Sequence, residues 1–305
     1  MCGVIIHCEG GSMSFKEAYE NWIEYVARRH KKQSLDTINQ DFNRHILPYF
    51  IDKNLEELTK LDIIDWQNKI LDKNFSNNFN SKLYTIFNSF FQYCVCYSYL
   101  EKNFISEIGN FNKKIEYKSH TTYTLRQFRK FRFYVTDFVI KQFFNFMYFY
   151  GTRPSEAMAL RFSDLKYNYV YVRHSIHRKG KRELDTPKNQ SSIRIIKINL
   201  LMLFRIWLLK KYYLKKYGEI SNDYFIFGGK KPLAPTTIDR YKEKAYKNAN
   251  LPSITQHEFR HSYATRRIHA KVPIDIVSRS MGHSKVSTTL DIYLHQEKNT
   301  RNVFS

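Results

Sequence analysis

Apolar residues recur at helical spacing through the first hundred positions of the chain. Phe15, Ala18, Trp22 and Val26 form one stripe, and Ser14 with Glu17 three positions later is a capping-box start. A second stripe, Ile38, Phe42 and Ile46, stops at Pro48, and Thr59 with Asp62 opens a third that carries Ile63, Trp66 and Ile70. A fourth runs from about Phe79 to Leu100. Four helices with lysine and asparagine on their outer faces describe a small all-helical domain over residues 13–108. Residues 109–122, GNFNKKIEYKSHTT, lose periodicity and read as a linker.

The pattern changes within residues 123–305. Thr124 and Gln127 start a helical region that ends near Gly151, after which Tyr169 to His174 and Ile193 to Ile198 are rich in β-branched and aromatic residues. The basic segment around Lys179 to Lys181 reads as a turn between these strands. Leu200 to Tyr217, Pro235 to Asn248, Thr255 to Ala270 and Ser287 to His295 are later helices, the third opened by a Thr255/Glu258 capping box. The expected fold is therefore mainly α with a small antiparallel β-sheet: a four-helix N-terminal domain and a mixed α/β domain.

Composition narrows the function. Lys+Arg total 50 against 28 for Asp+Glu, a formal charge of +22, which points to a polyanionic partner and to nucleic acid first. A membrane fits poorly, because the most apolar stretch, Phe138 to Tyr150, is broken by Lys141, Gln142 and Asn145. It is also shorter than the ~20 residues a spanning helix needs. Four cysteines do not make a disulfide framework in a chain of 305 residues, and Cys94 and Cys96 would diverge on a helix, as suits a reducing cytoplasm. Residues 1–12 stay unassigned: Cys2, His7 and Cys8 are too few for a zinc site, and the segment lacks the form of a signal peptide. A gene-start artefact and the remnant of a lost domain are both open.

Four segments hold cations, imidazoles and a tyrosine that folding alone does not demand: GTRPSE with Arg153, TPKNQSS with Lys188, HEFRHSYAT with His257 and Arg260, and MGH with His283, followed by TTLDIYLH with Tyr293. Phosphoryl transfer to a tyrosine needs charge neutralised on the non-bridging oxygens, a nucleophile, and an acid for the leaving oxygen. Two arginines can fork onto a phosphate and imidazoles can add donors. Tyr293, with an ordinary pKa of ~10, needs cationic neighbours to favour its phenolate. Lys188 on a hairpin can protonate the departing sugar oxygen. Fixed cations of this kind need no metal or other cofactor.

Each signal has a blander explanation taken alone. Arg153 can simply pair with Glu156, and His257 with His261 can be a solvent-facing pair. His283 can be a loop histidine, Tyr293 is one of 23 tyrosines, and Lys188 is one lysine of many. Jointly and in this order, however, the segments closely resemble the signatures of the tyrosine recombinase, or phage integrase, family: an arginine in GxRxxE, an HxxRH segment, an LGH turn, and a tyrosine that follows a threonine pair and precedes a histidine as YxH. The stretch TPKNQSSIRIIKI resembles the hairpin of integrases from phages and conjugative transposons.

The resemblance implies that Arg153, Lys188, His257, Arg260 and His283 activate the phosphate, that Tyr293 attacks it, and that Glu156 braces Arg153. It makes residues 13–108 a core-binding domain and residues 123–305 the catalytic domain, closing as a clamp on duplex DNA. It further implies four protomers on two double-stranded recombination sites, accessory DNA-bending or directionality proteins, no membrane, and a DNA-associated place in a bacterial cytoplasm. Met281 departs from the family's leucine, a volume-conserving change, and no arm-type DNA-binding domain precedes Met13. Two rivals share features of the sequence: a type IB topoisomerase, and a DNA-binding protein that has lost catalysis. The GTRPSE and MGH contexts and the filled catalytic positions favour the recombinase.

Overall fold

The computed structural model describes residues 13–30, 32–112, 121–176, 184–185 and 193–282. The chain divides into two compact units, Met1–Tyr117 and Lys118–Ser305. It is mainly helical with a small antiparallel sheet. Among the described residues, no helix is long and apolar enough to cross a membrane.

The first unit contains α1 (Phe15–Ala27), α2 (Lys32–His45), α3 (Leu47–Phe50), α4 (Lys60–Asp72), α5 (Asn77–Cys96) and α6 (Phe104–Ile108). Ser14/Glu17 and Thr59/Asp62 form the capping boxes expected for α1 and α4. Pro48 does not end the second stripe: α2 stops at His45, and Pro48 lies in the first turn of α3, where its missing N–H costs nothing. The fourth helix is shifted from the expected span. Ser76 caps its start by accepting from the Phe79 amide, and Ser98, at φ 60°, turns the chain back so that Tyr99 N donates to Cys94 O.

The core is a stack of rings that the helical stripes bring inward. Phe15 lies 4.9 Å from Phe90 and 5.1 Å from Phe50, and Trp66 lies 4.9 Å from Phe87 between ring centroids. The start of the polar stretch after residue 108 is packed here too: Gln67 Nε2 donates to Gly109 O at 3.1 Å, and Phe111 sits against Trp66.

The second unit contains α7 (Leu125–Tyr134), α8 (Phe138–Tyr150), α9 (Pro154–Ala159), β1 (Leu165–Lys166), β2 (Tyr169–Val172), β3 (Ser175–Ile176), β4 (Leu184–Asp185), β5 (Arg194–Lys197), α10 (Leu200–Tyr217), α11 (Pro235–Asn248), α12 (Gln256–His269) and α13 (Ile274–Met281). The apolar stretch at Phe138 becomes α8, a helix buried over most of its length. Phe128 of α7 stacks on Tyr148, and Phe259 of α12 packs on Phe144, so α8 runs through the middle of the core.

The sheet order is β1-β2-β5, all antiparallel, with Val172 opposite Arg194 and Val170 opposite Ile196. Period-two alternation then leaves Ile195 and Lys197 outside while Arg194 and Ile196 turn inward. Strands β3 and β4 pair separately. The helix α13 was not among the expected elements. Residues 1–12, the turn around Lys179 to Lys181 and the expected helix Ser287 to His295 lie outside the described residues.

Candidate active site

Three chain segments far apart in sequence meet at the carboxylate of Glu156. The first begins where α8 ends at Gly151, which is left-handed (φ 65°) and passes so close under the Tyr263 ring that a Cβ there would overlap it. The chain then extends through Arg153, and Pro154 starts α9. Glu156, in the first turn of α9, reaches back: its Oε2 accepts from the Arg153 amide at 2.8 Å, and its Oε1 accepts from Arg153 Nη1 at 2.6 Å. One carboxylate therefore caps the helix start and fixes the arginine beside it.

The second segment is α12. Thr255 and Glu258 cap it, and one turn further in Arg260 is buried at 1% exposure. Two of its donors go to main-chain carbonyls: Nη1 to Gly151 O at 2.9 Å and Nη2 to Met281 O at 2.7 Å. The third segment is the end of α13, where Gly282 closes the helix in the left-handed conformation. The Gly282 carbonyl accepts from Arg153 Nη2 at 3.0 Å. The two carbonyls just before His283 thus hold one arginine each.

A fourth participant was not anticipated. Arg194, inward-facing on β5, donates from Nη2 to Glu156 Oε2 at 2.8 Å and from Nε to Ser280 O at 2.9 Å. No local motif marks it. Only the alternation along the strand, with a cation on the buried face of a β-branched run, could have pointed to it.

The electrostatics follow from this packing. Glu156 is 2% exposed, so burial alone would raise its pKa, but Arg194, Arg260 and Arg153 outweigh this and hold it at about 2. Arg260 is pushed below its ordinary range, first by burial and then by Arg153, against the pull of Glu156. Three guanidiniums around one carboxylate leave these four side chains with a surplus of two positive charges. The Arg153 side chain is 32% exposed against 8% for Arg194 and 1% for Arg260, so Arg153 is the guanidinium that solvent reaches most readily. Fixed, partly desolvated cations of this kind suit a phosphate whose charge grows during reaction.

Of the residues singled out in the sequence, Arg153 and Arg260 come together at Glu156. His257 sits exposed in the first turn of α12, with its ring 5.3 Å from that of His261. Lys188, His283 and Tyr293 lie outside the described residues. Among the described residues, no group of three or more His, Cys, Asp or Glu side chains is placed to hold a metal ion.

Known proteins resemble the chain in sequence and in fold. The sequence model of the phage integrase family matches residues 126–300, more than half of the chain, and that of the phage integrase N-terminal SAM-like domain matches residues 14–71. The chain belongs to the phage integrase family. Among relatives of this tyrosine recombinase family, the ICEBs1 integrase of Bacillus subtilis is 26% identical over 83% of the chain and 71% of its own length. A tyrosine recombinase of Thermosipho africanus is 26% identical over 92% of the chain and 96% of its own length. The fold is that of the Tn1549 transposon integrase in complex with transposon right-end DNA, at TM-score 0.74 and 18% identity over 94% of this chain and 99% of that one. It is likewise that of a lambda integrase in a tetramer bound to a Holliday junction, at TM-score 0.74 and 14% identity over 93% and 78%.

Proposed function

We propose that the chain is a site-specific DNA recombinase that integrates or excises a mobile element, cutting and rejoining DNA through a covalent bond to Tyr293. The observation that carries this reading is the meeting of GTRPSE, HEFRH and the turn before His283 at one buried carboxylate ringed by guanidiniums. Arg153, with Arg260 behind it, binds the scissile phosphate, and His257 and His283 are assigned as further donors to it. Tyr293 attacks phosphorus, Lys188 gives its proton to the departing 5′ oxygen, and a 3′-phosphotyrosyl link with a free 5′-hydroxyl results. A partner strand's 5′-hydroxyl reverses the step, and because one phosphodiester replaces another, no nucleotide is consumed.

The mobile-element role is supported by a sequence relative, the ICEBs1 integrase, and by a structural neighbour, the Tn1549 transposon integrase. A homotetramer on two duplexes enters through the lambda integrase bound to a Holliday junction. The formal charge of +22 suits the phosphate contacts that such an assembly needs. The test is a suicide substrate nicked beside the cut site. Wild-type protein should accumulate a covalent protein–DNA adduct, whereas Tyr293→Phe should bind the same DNA and form none, because the ring remains and the attacking oxygen is gone. An adduct with the Phe variant would overturn the assignment.

A further inference from the structure

We propose that Arg194 is a positioning residue for the strand-transfer reaction: it serves as the counter-ion of Glu156, so that Glu156 can hold Arg153 in place without cancelling its charge. The proposal rests on the reading of Arg153 as a phosphate ligand. Glu156 has to do two things that conflict. Its Oε1 and Oε2 fix the Arg153 side chain and amide, yet a buried carboxylate paired with one guanidinium alone would make a neutral pair and weaken attraction for phosphate. A second, dedicated cation resolves the conflict; Arg260 also lies near Glu156, but at 3.9 Å and with its hydrogen bonds given to the Gly151 and Met281 carbonyls, so it does not pair with the carboxylate directly.

Arg194 has the geometry of that cation. Its side chain is 8% exposed, and its Nη2 meets the same Glu156 Oε2 that accepts from the Arg153 amide. Its Nε is meanwhile spent on the Ser280 carbonyl, in the last turn of α13 just before the two carbonyls that hold Arg260 and Arg153. One guanidinium therefore joins β5, α9 and α13 and sets the position of Glu156 among them. A lysine keeps the charge but is a single point donor, and it cannot reach both acceptors as the separated nitrogens of arginine do.

The experiment compares two cleavage substrates that differ only at the scissile phosphate, one an ordinary phosphodiester and one a methylphosphonate, in which a methyl group removes the negative charge. Arg194→Met should cleave the ordinary substrate about 10–100-fold more slowly, the scale of a lost outer positioning contact, with DNA binding retained. On the neutral methylphosphonate it should approach wild type, because charge on Arg153 no longer matters there. Arg194→Lys should fall between the two on the ordinary substrate, and it decides the matter in the same way if the Met variant does not fold. A folded variant equally slow on both substrates would make Arg194 merely structural and overturn the proposal. So would rescue confined to a substrate with sulfur at the 5′-bridging position, which would place its effect on the leaving group. Arg153→Ala is the control for the underlying reading: if methylphosphonate fails to rescue it, Arg153 is not the phosphate ligand, whatever Arg194 does.

Discussion

Among the described residues, the buried polar side chains of the first unit are His45, Gln67 and Asn80, with no carboxylate, lysine or arginine, while those of the second unit include Glu156, Asp164 and Arg260. Both units have dense aromatic cores, so the difference is not one of hydrophobic supply. Burying a charge costs several kcal/mol that pairing only partly returns, and well-packed apolar residues often serve stability equally well. The first unit shows that this chain can close a core without such charges. The guanidinium–carboxylate cluster of the second unit is therefore best explained by what it does to a ligand.

The largest effect should come from Glu156→Ala, which leaves Arg194 and Arg260 buried without their counter-charge. About 3–5 kcal/mol of stability should be lost, as for other broken buried pairs. In the first unit Phe87→Ala, at the centre of the ring stack, should cost about the same through a cavity. The two should part company in chemistry. With DNA saturating and temperature below unfolding, the Phe87 variant should keep its cleavage rate and the Glu156 variant should lose it. Equal losses in both would break the contrast between a core that only folds and a core that also reacts.

Acid should separate the units next. Glu156 has a folded pKa of about 2, below its ordinary 4.5, so its contribution is fully present above pH ~4.5 and is lost as pH falls through about 2. In the first unit the lowered carboxylates lie at the surface. Glu17 is held by Ser14, and Asp62, against the effect of its own partial burial, by Lys53 and Thr59. Trp22 and Trp66 are buried in the first unit, and Trp207 is half exposed in the second, so fluorescence favours the first unit while far-UV circular dichroism reports both. Titrated from pH 5 to pH 2, helix content should begin to fall before the buried tryptophan signal changes. Simultaneous loss would mean that Glu156 contributes no more than the surface caps.

Legibility in the sequence followed the range of the interactions. The capping boxes at Ser14, Thr59, Thr124 and Thr255 and the bounds of α10 and α11 were readable, because a cap and a hydrophobic stripe are decided within a few residues. The short helix α13 was missed: it has eight residues, starts after Pro273 and has no side-chain cap. Pro48 misled because a proline that ends one helix can equally begin another. The motifs single out Arg153 and Arg260, which the structure brings together at Glu156, but they do not single out Arg194. Its partners, Glu156 and Ser280, lie far from it in sequence, and only the pairing of β5 with β2 turns it inward.

The smallest effect should come from Met281, the one departure from the family's LGH turn. Its side chain is fully buried with Tyr263, Ala264 and Val277, but what it offers the site is its main-chain carbonyl, which accepts from Arg260 Nη2. Leucine has nearly the same volume, so Met281→Leu should change stability by less than about 1.5 kcal/mol. Because Gly282 supplies the left-handed turn in both cases, the carbonyl should stay where it is and the cleavage rate should stay close to wild type. If the rate instead fell far more than the melting temperature, the flexible thioether would be setting the position of the turn. The contrast between the units would then have to include side-chain packing beneath the arginines as well as the charges themselves.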